Sequence, residues 1–146
     1  ILAATVIPAF VDSSYDARDP TLLHNLQAVR HQIQIYRVQH EGKWPGSGGI
    51  PAMVHLMVYT NAEGGVSMTK SSSHPYGPYL PSQGLVNPFN GGMGWQSSSD
   101  PASESPNESM TTSGNVLVGW FYDANTGRIS ANAEGTTADG VPRVEL

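Results

Sequence analysis

Five histidines are the first residues in this sequence that could bind a metal ion or transfer a proton. His24 and His31 are seven residues apart and fall on roughly one face of a helix, whereas His40, His55 and His74 lie in separate segments. No two of them share a metal-binding spacing such as i,i+4 with a neighbouring carboxylate. We therefore expect these histidines at the surface or at a helix end, without a metal or catalytic role.

Nucleophilic catalysis has no supporting motif. Serines are abundant, but the Gly-x-Ser-x-Gly pattern of a nucleophile elbow is absent. The Ser-Gly-Gly of residues 47–49 lacks the strand before it and the Lys-Ser/Thr after it that a phosphate-binding loop requires. The chain has no cysteine, which excludes a thiol nucleophile, a zinc-thiolate site and a disulfide framework. The sequence therefore predicts a protein that is not an enzyme and needs no cofactor.

One short segment has oxygen ligands at a spacing that suits calcium. Asp123 and Asn125 alternate as ligands do at the start of a calcium loop, but the later ligands and the bidentate glutamate are missing. Gly127 follows directly, between two apolar runs, which favours a hairpin turn. Glu134 and Asp139 are the only carboxylates in the loop after this hairpin. A calcium site formed by Asp123, Asn125 and Asp139 is the alternative to a plain turn.

A second short motif could carry a modification. Asn107, Glu108 and Ser109 form an N-glycosylation sequence. It lies within residues 97–114, a stretch of Ser, Pro, Glu, Asn and Thr with almost no apolar side chains, which we expect to be a mobile surface loop. Glycosylation of Asn107 would suit an outer surface, and an unmodified loop is the simpler expectation.

Composition indicates a single loop-rich domain. The 146 residues suffice for one modest hydrophobic core. They include 16 glycines and 11 prolines, and charged residues make up only 13%. The net charge is −5 and the seven basic residues form no cluster, so we do not expect a nucleic-acid partner.

A helix is predicted over residues 20–41. Asp19 as cap and Pro20 as first residue favour a helix start there. The apolar residues that follow recur every three or four positions, which is one stripe of an α-helix about 30 Å long. The stripe consists of Leu22, Leu26, Val29, Ile33 and Tyr36. A single stripe of this kind needs the rest of the chain as its cover.

The clearest β signal lies near the end of the sequence. Residues 115–122 are rich in β-branched and aromatic side chains, 123–127 form a turn, and 128–132 supply a partner strand. We also expect a short helix over residues 51–60 and a short edge strand within 141–146. The order of these elements predicts an α+β fold in which one helix packs against a small antiparallel sheet.

The first eleven residues form an apolar segment. Residues 1–11 contain no charge, and Pro8 would kink a helix there. The segment covers about half of the roughly 20 residues that span a bilayer, and it lacks the basic region and cleavage pattern of a signal peptide. We interpret it as the end of a longer buried helix that continues upstream of Ile1, followed by a polar link over residues 12–19.

Four segments, in this order, resemble type IV pilins and the major pseudopilins of type II secretion. ILAATVIPAF resembles the end of the family's N-terminal signature, and the matching residues are Ile1, Leu2, Ala3, Ala4, Ile7 and Pro8. Residues 25–45, NLQAVRHQIQIYRVQHEGKWP, resemble the second half of the spine helix and its stop. GPYLP (77–81) and VNPFNG (86–91) resemble the loop before the sheet, and GWFYDANTGRISAN (119–132) resembles the terminal hairpin.

This resemblance implies a pilin-like fold, with a long kinked N-terminal spine helix packed against a small antiparallel head sheet. Residues 1–19 would be the end of the filament-core or membrane helix with its link, and residues 20–146 the globular head. The filament-core contacts would come from Ile1, Leu2, Val6, Ile7, Pro8 and Phe10. The pseudopilin branch also implies calcium in the sheet-side loops.

The resemblance further implies an inner-membrane precursor that a prepilin peptidase trims and whose new N-terminus is methylated. Assembly machinery in the inner membrane would then add it to copies of itself, in a helical filament at the cell surface or in the periplasm. Two features depart from the family pattern. The Phe-Thr-Leu-Ile-Glu start is absent from this sequence, and Pro20 interrupts the spine, which predicts a second kink or a non-helical link around residues 12–20.

A function of a different class is also compatible with the sequence. The chain could be a soluble secreted module that binds a glycan or a peptide through aromatic-rich loops. The side chains in question are Trp44, Tyr76, Tyr79, Phe89 and Trp95. Within the filament hypothesis, the lack of a cysteine pair favours a pseudopilin-type head, and pilus and pseudopilus both stay open.

Overall fold

The computed structural model describes residues 16–146. The longest element is helix α1, Arg18–Gln39, which has 22 residues. Asp19 in its first turn and Arg37 in its last turn have the charges that the helix dipole favours at each end. At the C-terminus the Gly42 N–H donates to the Arg37 carbonyl over 2.9 Å, and Gly42 has the positive φ of 82° that such a helix stop requires.

The first turn of α1 starts earlier than the sequence predicts. The residue before the helix is Ala17, not Asp19. Asp16 caps this end, because its carboxylate accepts the Arg18 N–H over 2.9 Å and its carbonyl accepts the Asp19 N–H over 3.0 Å. Pro20 therefore lies inside the first turn, where its missing N–H removes no helical hydrogen bond.

Short elements and turns follow α1. A 3₁₀ turn occupies Ser47–Gly49, and helix α2 occupies only Ala52–Met57 instead of the predicted 51–60. Strands β1 (Tyr59–Thr60) and β2 (Val66–Ser67) form an antiparallel pair. Two further 3₁₀ turns lie at Pro101–Ser103 and Arg143–Glu145, and the second stands where the sequence predicts an edge strand.

The second sheet has three strands in the order β3-β4-β5. They span Gly94–Ser97, Val118–Asp123 and Arg128–Ala131. β4 and β5 form the antiparallel hairpin, whereas β3 pairs with β4 in parallel. All six residues of β4 are buried, so both faces of the central strand are covered.

The main core lies between α1 and one face of this sheet. The five residues of the predicted stripe, Leu22, Leu26, Val29, Ile33 and Tyr36, are all fully buried. They join the same cluster as Trp120, Tyr122 and Ile129. Each fully buried aliphatic side chain is worth roughly 1.5–3 kcal/mol. The opposite face of β4 presents Val118 and Phe121, which pack against Val144 and Met110.

The expected mobile surface loop over residues 97–114 covers that second face. Pro101 is buried, the Ser98 N–H donates to the Tyr122 carbonyl over 2.9 Å, and the Met110 carbonyl accepts the Val118 N–H over 2.8 Å. These contacts could not be predicted from the polar composition of the stretch, because backbone groups and a few apolar side chains make them. The stretch is therefore part of the packed structure.

The predicted pilin-like fold is wrong. The main helix of the described chain is Arg18–Gln39, which is not a long apolar spine, and no helix among residues 16–146 is long and apolar enough to cross a membrane. The sheet is mixed where a purely antiparallel one was expected, because β3 pairs in parallel with β4. The proposed kink at Pro8 and most of the link before α1 fall outside the described residues.

Candidate functional site

The start of α1 carries the densest cluster of charged contacts, which we call the N-terminal clamp: Asp16, Arg18, Asp19, Phe89 and Arg143. Arg143 Nε donates to Asp19 Oδ1 over 2.6 Å and Nη2 donates to Oδ2 over 3.2 Å. The two side chains are only 11% and 15% exposed. This two-point pair joins the first turn of α1 to the last turn of the chain. A bidentate carboxylate–guanidinium contact fixes orientation as well as distance.

An aromatic ring lies between the two arginines of the clamp. The guanidinium carbon of Arg18 lies 4.3 Å from the Phe89 ring centroid, and that of Arg143 lies 4.4 Å from it. Both distances fall within the range of cation–π attraction. Arg18 also pairs with Asp16, with Nη2 and Oδ2 separated by 2.6 Å. The hydrogen bonds from the Arg18 side chain and backbone lower the pKa of Asp16 to about 2.

The loop that presents Phe89 is held by asparagine side chains. Asn87 is fully buried; its Nδ2 donates to the carbonyls of Gly119 (2.8 Å) and Asn132 (3.1 Å), and its Oδ1 accepts the Phe89 N–H (2.9 Å). Asn90 Nδ2 donates to the Val118 carbonyl over 2.9 Å. These bonds anchor the segment that the sequence shows as VNPFNG directly on β4 and on the residue after β5.

Asn132 extends this network to the covering loop. Its Nδ2 donates to the carbonyls of Asn107 and Val118, both over 2.7 Å, and its Oδ1 accepts the Asn107 N–H over 2.7 Å. Asn132 is fully buried, so these bonds satisfy groups that water cannot reach. The network fixes the position of the clamp relative to the sheet.

The expectation of a surface or helix-end position is wrong for His55, which is fully buried. His40 lies at the C-terminal end of α1, as expected, although its side chain is fully buried. His24 and His31 are exposed and His74 is partly exposed. His40 is stacked on Tyr36 with ring centroids 3.6 Å apart. No group of three or more His, Cys, Asp or Glu residues within 16–146 is arranged to hold a metal ion.

Backbone contacts fix the protonation of the two buried rings. His55 Nδ1 accepts the Gly46 N–H over 2.9 Å, so its proton is on Nε2, which donates to the Gly64 carbonyl over 3.0 Å. His40 Nδ1 donates to the Tyr36 carbonyl over 2.6 Å and Nε2 accepts from the Thr60 hydroxyl over 2.8 Å. Burial lowers the pKa of both imidazoles. Both rings therefore serve the structure of the 42–65 region as neutral groups.

Two of the three residues of the calcium hypothesis, Asp123 and Asn125, lie in the turn between β4 and β5, where the Asp123 side chain is bonded within the turn. Asp123 Oδ1 accepts the Asn125 N–H over 2.9 Å and Oδ2 accepts from the Thr126 hydroxyl over 2.7 Å. These two bonds lower the pKa of Asp123. Asp139 is exposed, in the loop closed by the Thr136–Pro142 bridge. The calcium site stays a prediction.

The remaining predicted sites are dispersed. Asn107 is exposed, and its Oδ1 accepts the Ser109 N–H over 3.0 Å. Among the aromatic side chains of the binding hypothesis, Tyr76 and Tyr79 lie near the His40 ring, whereas Trp44 lies under Arg37 and Trp95 packs on Tyr122. The filament-core residues Ile1, Leu2, Val6, Ile7, Pro8 and Phe10 lie outside the described residues.

Comparisons with known proteins add no relative. No family model, no curated protein and no solved structure matches this chain.

Two features of the site escaped sequence reasoning. The Asp19–Arg143 pair joins residues 124 positions apart, and no local pattern identifies a pairing at that distance. The turns of the asparagine segment could be predicted, because Asn-Pro and Asn-Gly in VNPFNG mark turns. Its hydrogen-bond partners on β4 could not, because only the tertiary fold brings them together.

Proposed function

We propose that this protein is a structural subunit of a helical filament, of the type IV pilus or type II secretion pseudopilus kind. In this proposal the apolar segment of residues 1–11 packs against the same segment of neighbouring copies. The head of residues 16–146 covers the outside. The protein has no catalytic role, and its working location is the cell surface or the periplasm, after an inner-membrane precursor is trimmed by a prepilin peptidase.

The observation that carries this proposal is the clamp at the start of α1. The apolar segment is joined to the head through residues 12–15, at Asp16. Beyond that point Asp19 is tied to Arg143 by a pair with little exposure, and Phe89 is held against both arginines of the clamp. A subunit that is held in a filament by one segment must transmit force through this junction. The ion pair to Arg143 and the packing of Phe89 would hold the first turn of α1 in place under such a force.

The composition of the segment supports the assembly step. Its side chains are uncharged over eleven residues, and burying each large one between subunits is worth roughly 1.5–3 kcal/mol. A head-to-tail contact that does not close on itself produces a helical fibre and repeats this gain at every subunit.

Electron microscopy of cells that produce the complete gene product tests the proposal. We expect filaments in the sheared or envelope fraction, labelled by antibodies against the head. Ile7→Asp should abolish them because it places a charge in the buried contact. Val38→Asp is the matched control, since Val38 is 82% exposed, and it should leave filaments intact. Wild-type protein that yields only monomers, or Ile7→Asp filaments as abundant as wild type, would contradict the proposal.

A further inference from the structure

Strand β3 lies at the edge of its sheet. In the order β3-β4-β5 it has a single neighbouring strand among the described residues. The Gly94 N–H donates to the Leu117 carbonyl over 2.8 Å and the Ser98 N–H donates to the Tyr122 carbonyl over 2.9 Å. Gln96, midway between Gly94 and Ser98, pairs with Phe121 of β4. Alternate residues of the strand therefore direct their backbone groups toward β4.

Trp95 and Ser97, which lie between these residues, direct their backbone groups away from β4. The alternation of a strand directs the N–H and C=O of Trp95 and Ser97 to the open side of β3. No described strand pairs with that side, and Ser97 is exposed. Only another extended backbone presents donors and acceptors at the spacing that matches such an edge.

A cavity of about 520 Å³ adjoins this edge. All four residues of β3 line it, and Ile50, Pro51 and Met53 are among the lining residues that α2 and the preceding segment supply. The volume lies within the range of about 300–1,000 Å³ that is usual for ligand sites. No Asp, Glu, Lys or Arg contributes to the lining. A charged side chain would lose hydration there without gaining a partner of opposite charge, which favours an uncharged occupant.

The indole of Trp95 adds a specific donor. Its ring packs on Tyr122 with centroids 5.1 Å apart. Its Nε1 is buried and has no hydrogen-bond partner in the described part of the chain. Buried indole N–H groups usually have an acceptor. An occupant of the cavity that carries a carbonyl group could supply this acceptor.

We propose that the open edge of β3 and this cavity bind an extended peptide segment with uncharged side chains, which adds to the sheet as a strand beside β3. Backbone bonds to Trp95 and Ser97 supply the alignment, and the apolar lining from Ile50 to Met53 receives alternate side chains. A cavity of about 520 Å³ suits a short segment, whereas a stable contact between two folded copies buries at least about 1,200 Å², so we assign the edge to a peptide. This inference does not depend on filament formation.

Amide chemical shifts of the ¹⁵N-labelled 146-residue chain test this proposal. The probe is Val-Thr-Val-Thr-Val, acetylated at its N-terminus and amidated at its C-terminus. We expect the largest shifts at the amides of Trp95 and Ser97 and at the Trp95 indole N–H. The matched peptide Glu-Thr-Glu-Thr-Glu, equally extended but charged, should leave these signals unchanged.

Two substitutions separate backbone pairing from side-chain contact. Ser97→Pro removes the N–H on the open edge, where proline is tolerated, and should weaken probe binding about tenfold, as expected for the loss of one hydrogen bond. Ser97→Ala retains the N–H and should bind like the wild type. Gln96→Glu places a charge in the cavity lining without altering the β4 ladder, and it should weaken binding even where the proline variant proves unstable.

Three results would overturn the inference. The first is the absence of shifts in β3 up to millimolar probe. The second is equal probe affinity of the Gln96→Glu variant and the wild type. The third is a concentration-dependent dimer whose β3 amides are protected without peptide, since the edge would then belong to a second copy of the chain.

Discussion

Arg143 and Asp19, which are 124 positions apart in the sequence, form a two-point ion pair. The pair connects the first turn of α1 with the last turn of the protein. Because neither side chain is more than 15% exposed, loss of one partner leaves the other charge poorly hydrated. The pair should therefore contribute more to the free energy of unfolding than an ion pair at the open surface does.

Removal of the carboxylate from this pair should destabilise the head. We expect Asp19→Asn to lower the free energy of unfolding by about 1–3 kcal/mol, since Arg143 loses its partner while partly buried. Asp100→Asn is the control, because the Asp100–Arg128 pair is 55% and 56% exposed, and its effect should stay within about 0.5 kcal/mol. Urea unfolding measures both variants. Equal effects would show that the clamp has no special role.

Stability should fall in mild acid because of His40 and His55. Burial lowers the pKa of both rings from 6.5 in the folded state, so the unfolded chain binds protons first as the pH falls. The free energy of unfolding is then greatest above pH 6.5 and declines as the pH drops through the lower folded pKa values.

Substitution separates this effect from general acid denaturation. Tyr36, Lys43, Tyr76 and Tyr79 are the other titratable groups near the two rings. His55→Gln should therefore make the decline in unfolding free energy shallower over this range. His31→Gln, at an exposed site, should leave the slope as it is in the wild type. A His55→Gln profile parallel to the wild-type one would refute the assignment.

Loss of the Asn132 side chain should loosen the loop that covers β4. Asn132→Ala removes three hydrogen bonds of the buried amide, and we expect a loss of about 2–4 kcal/mol in unfolding free energy. Hydrogen exchange should accelerate at the Asn107 and Met110 amides before it does in α1. Asn125→Ala, at an exposed turn position, should cost well under 1 kcal/mol.

Sequence periodicity located the elements that depend on local pattern. The spacing of Leu22, Leu26, Val29, Ile33 and Tyr36 indicated both the helix and the face that it buries, because the hydrophobic stripe is itself the cause of packing. The β-branched run before Asp123 and the turn residues after it likewise lie in the β4–β5 hairpin. Both elements are specified by residues that are neighbours in sequence.

The features that escaped prediction depend on distant partners. β3 has four residues, GWQS, without an alternating pattern, and it is a strand only because β4 lies beside it in parallel. His55 was expected at the surface or at a helix end, yet backbone groups of Gly46 and Gly64 satisfy its ring in the interior. A family-based spine was expected at the N-terminus, and the described helix begins only at Arg18.

The contact between apolar segments of neighbouring copies is the central claim, and disulfide trapping at Ile7 tests it most directly. The chain has no cysteine, so Ile7→Cys introduces its only thiol. The account predicts that mild oxidation of the filament or envelope fraction converts this variant largely to a disulfide-linked dimer. Met68→Cys, at a side chain that is 83% exposed, sets the level of random collision. An Ile7→Cys protein that stays monomeric, or dimerises no more than Met68→Cys, would contradict the account.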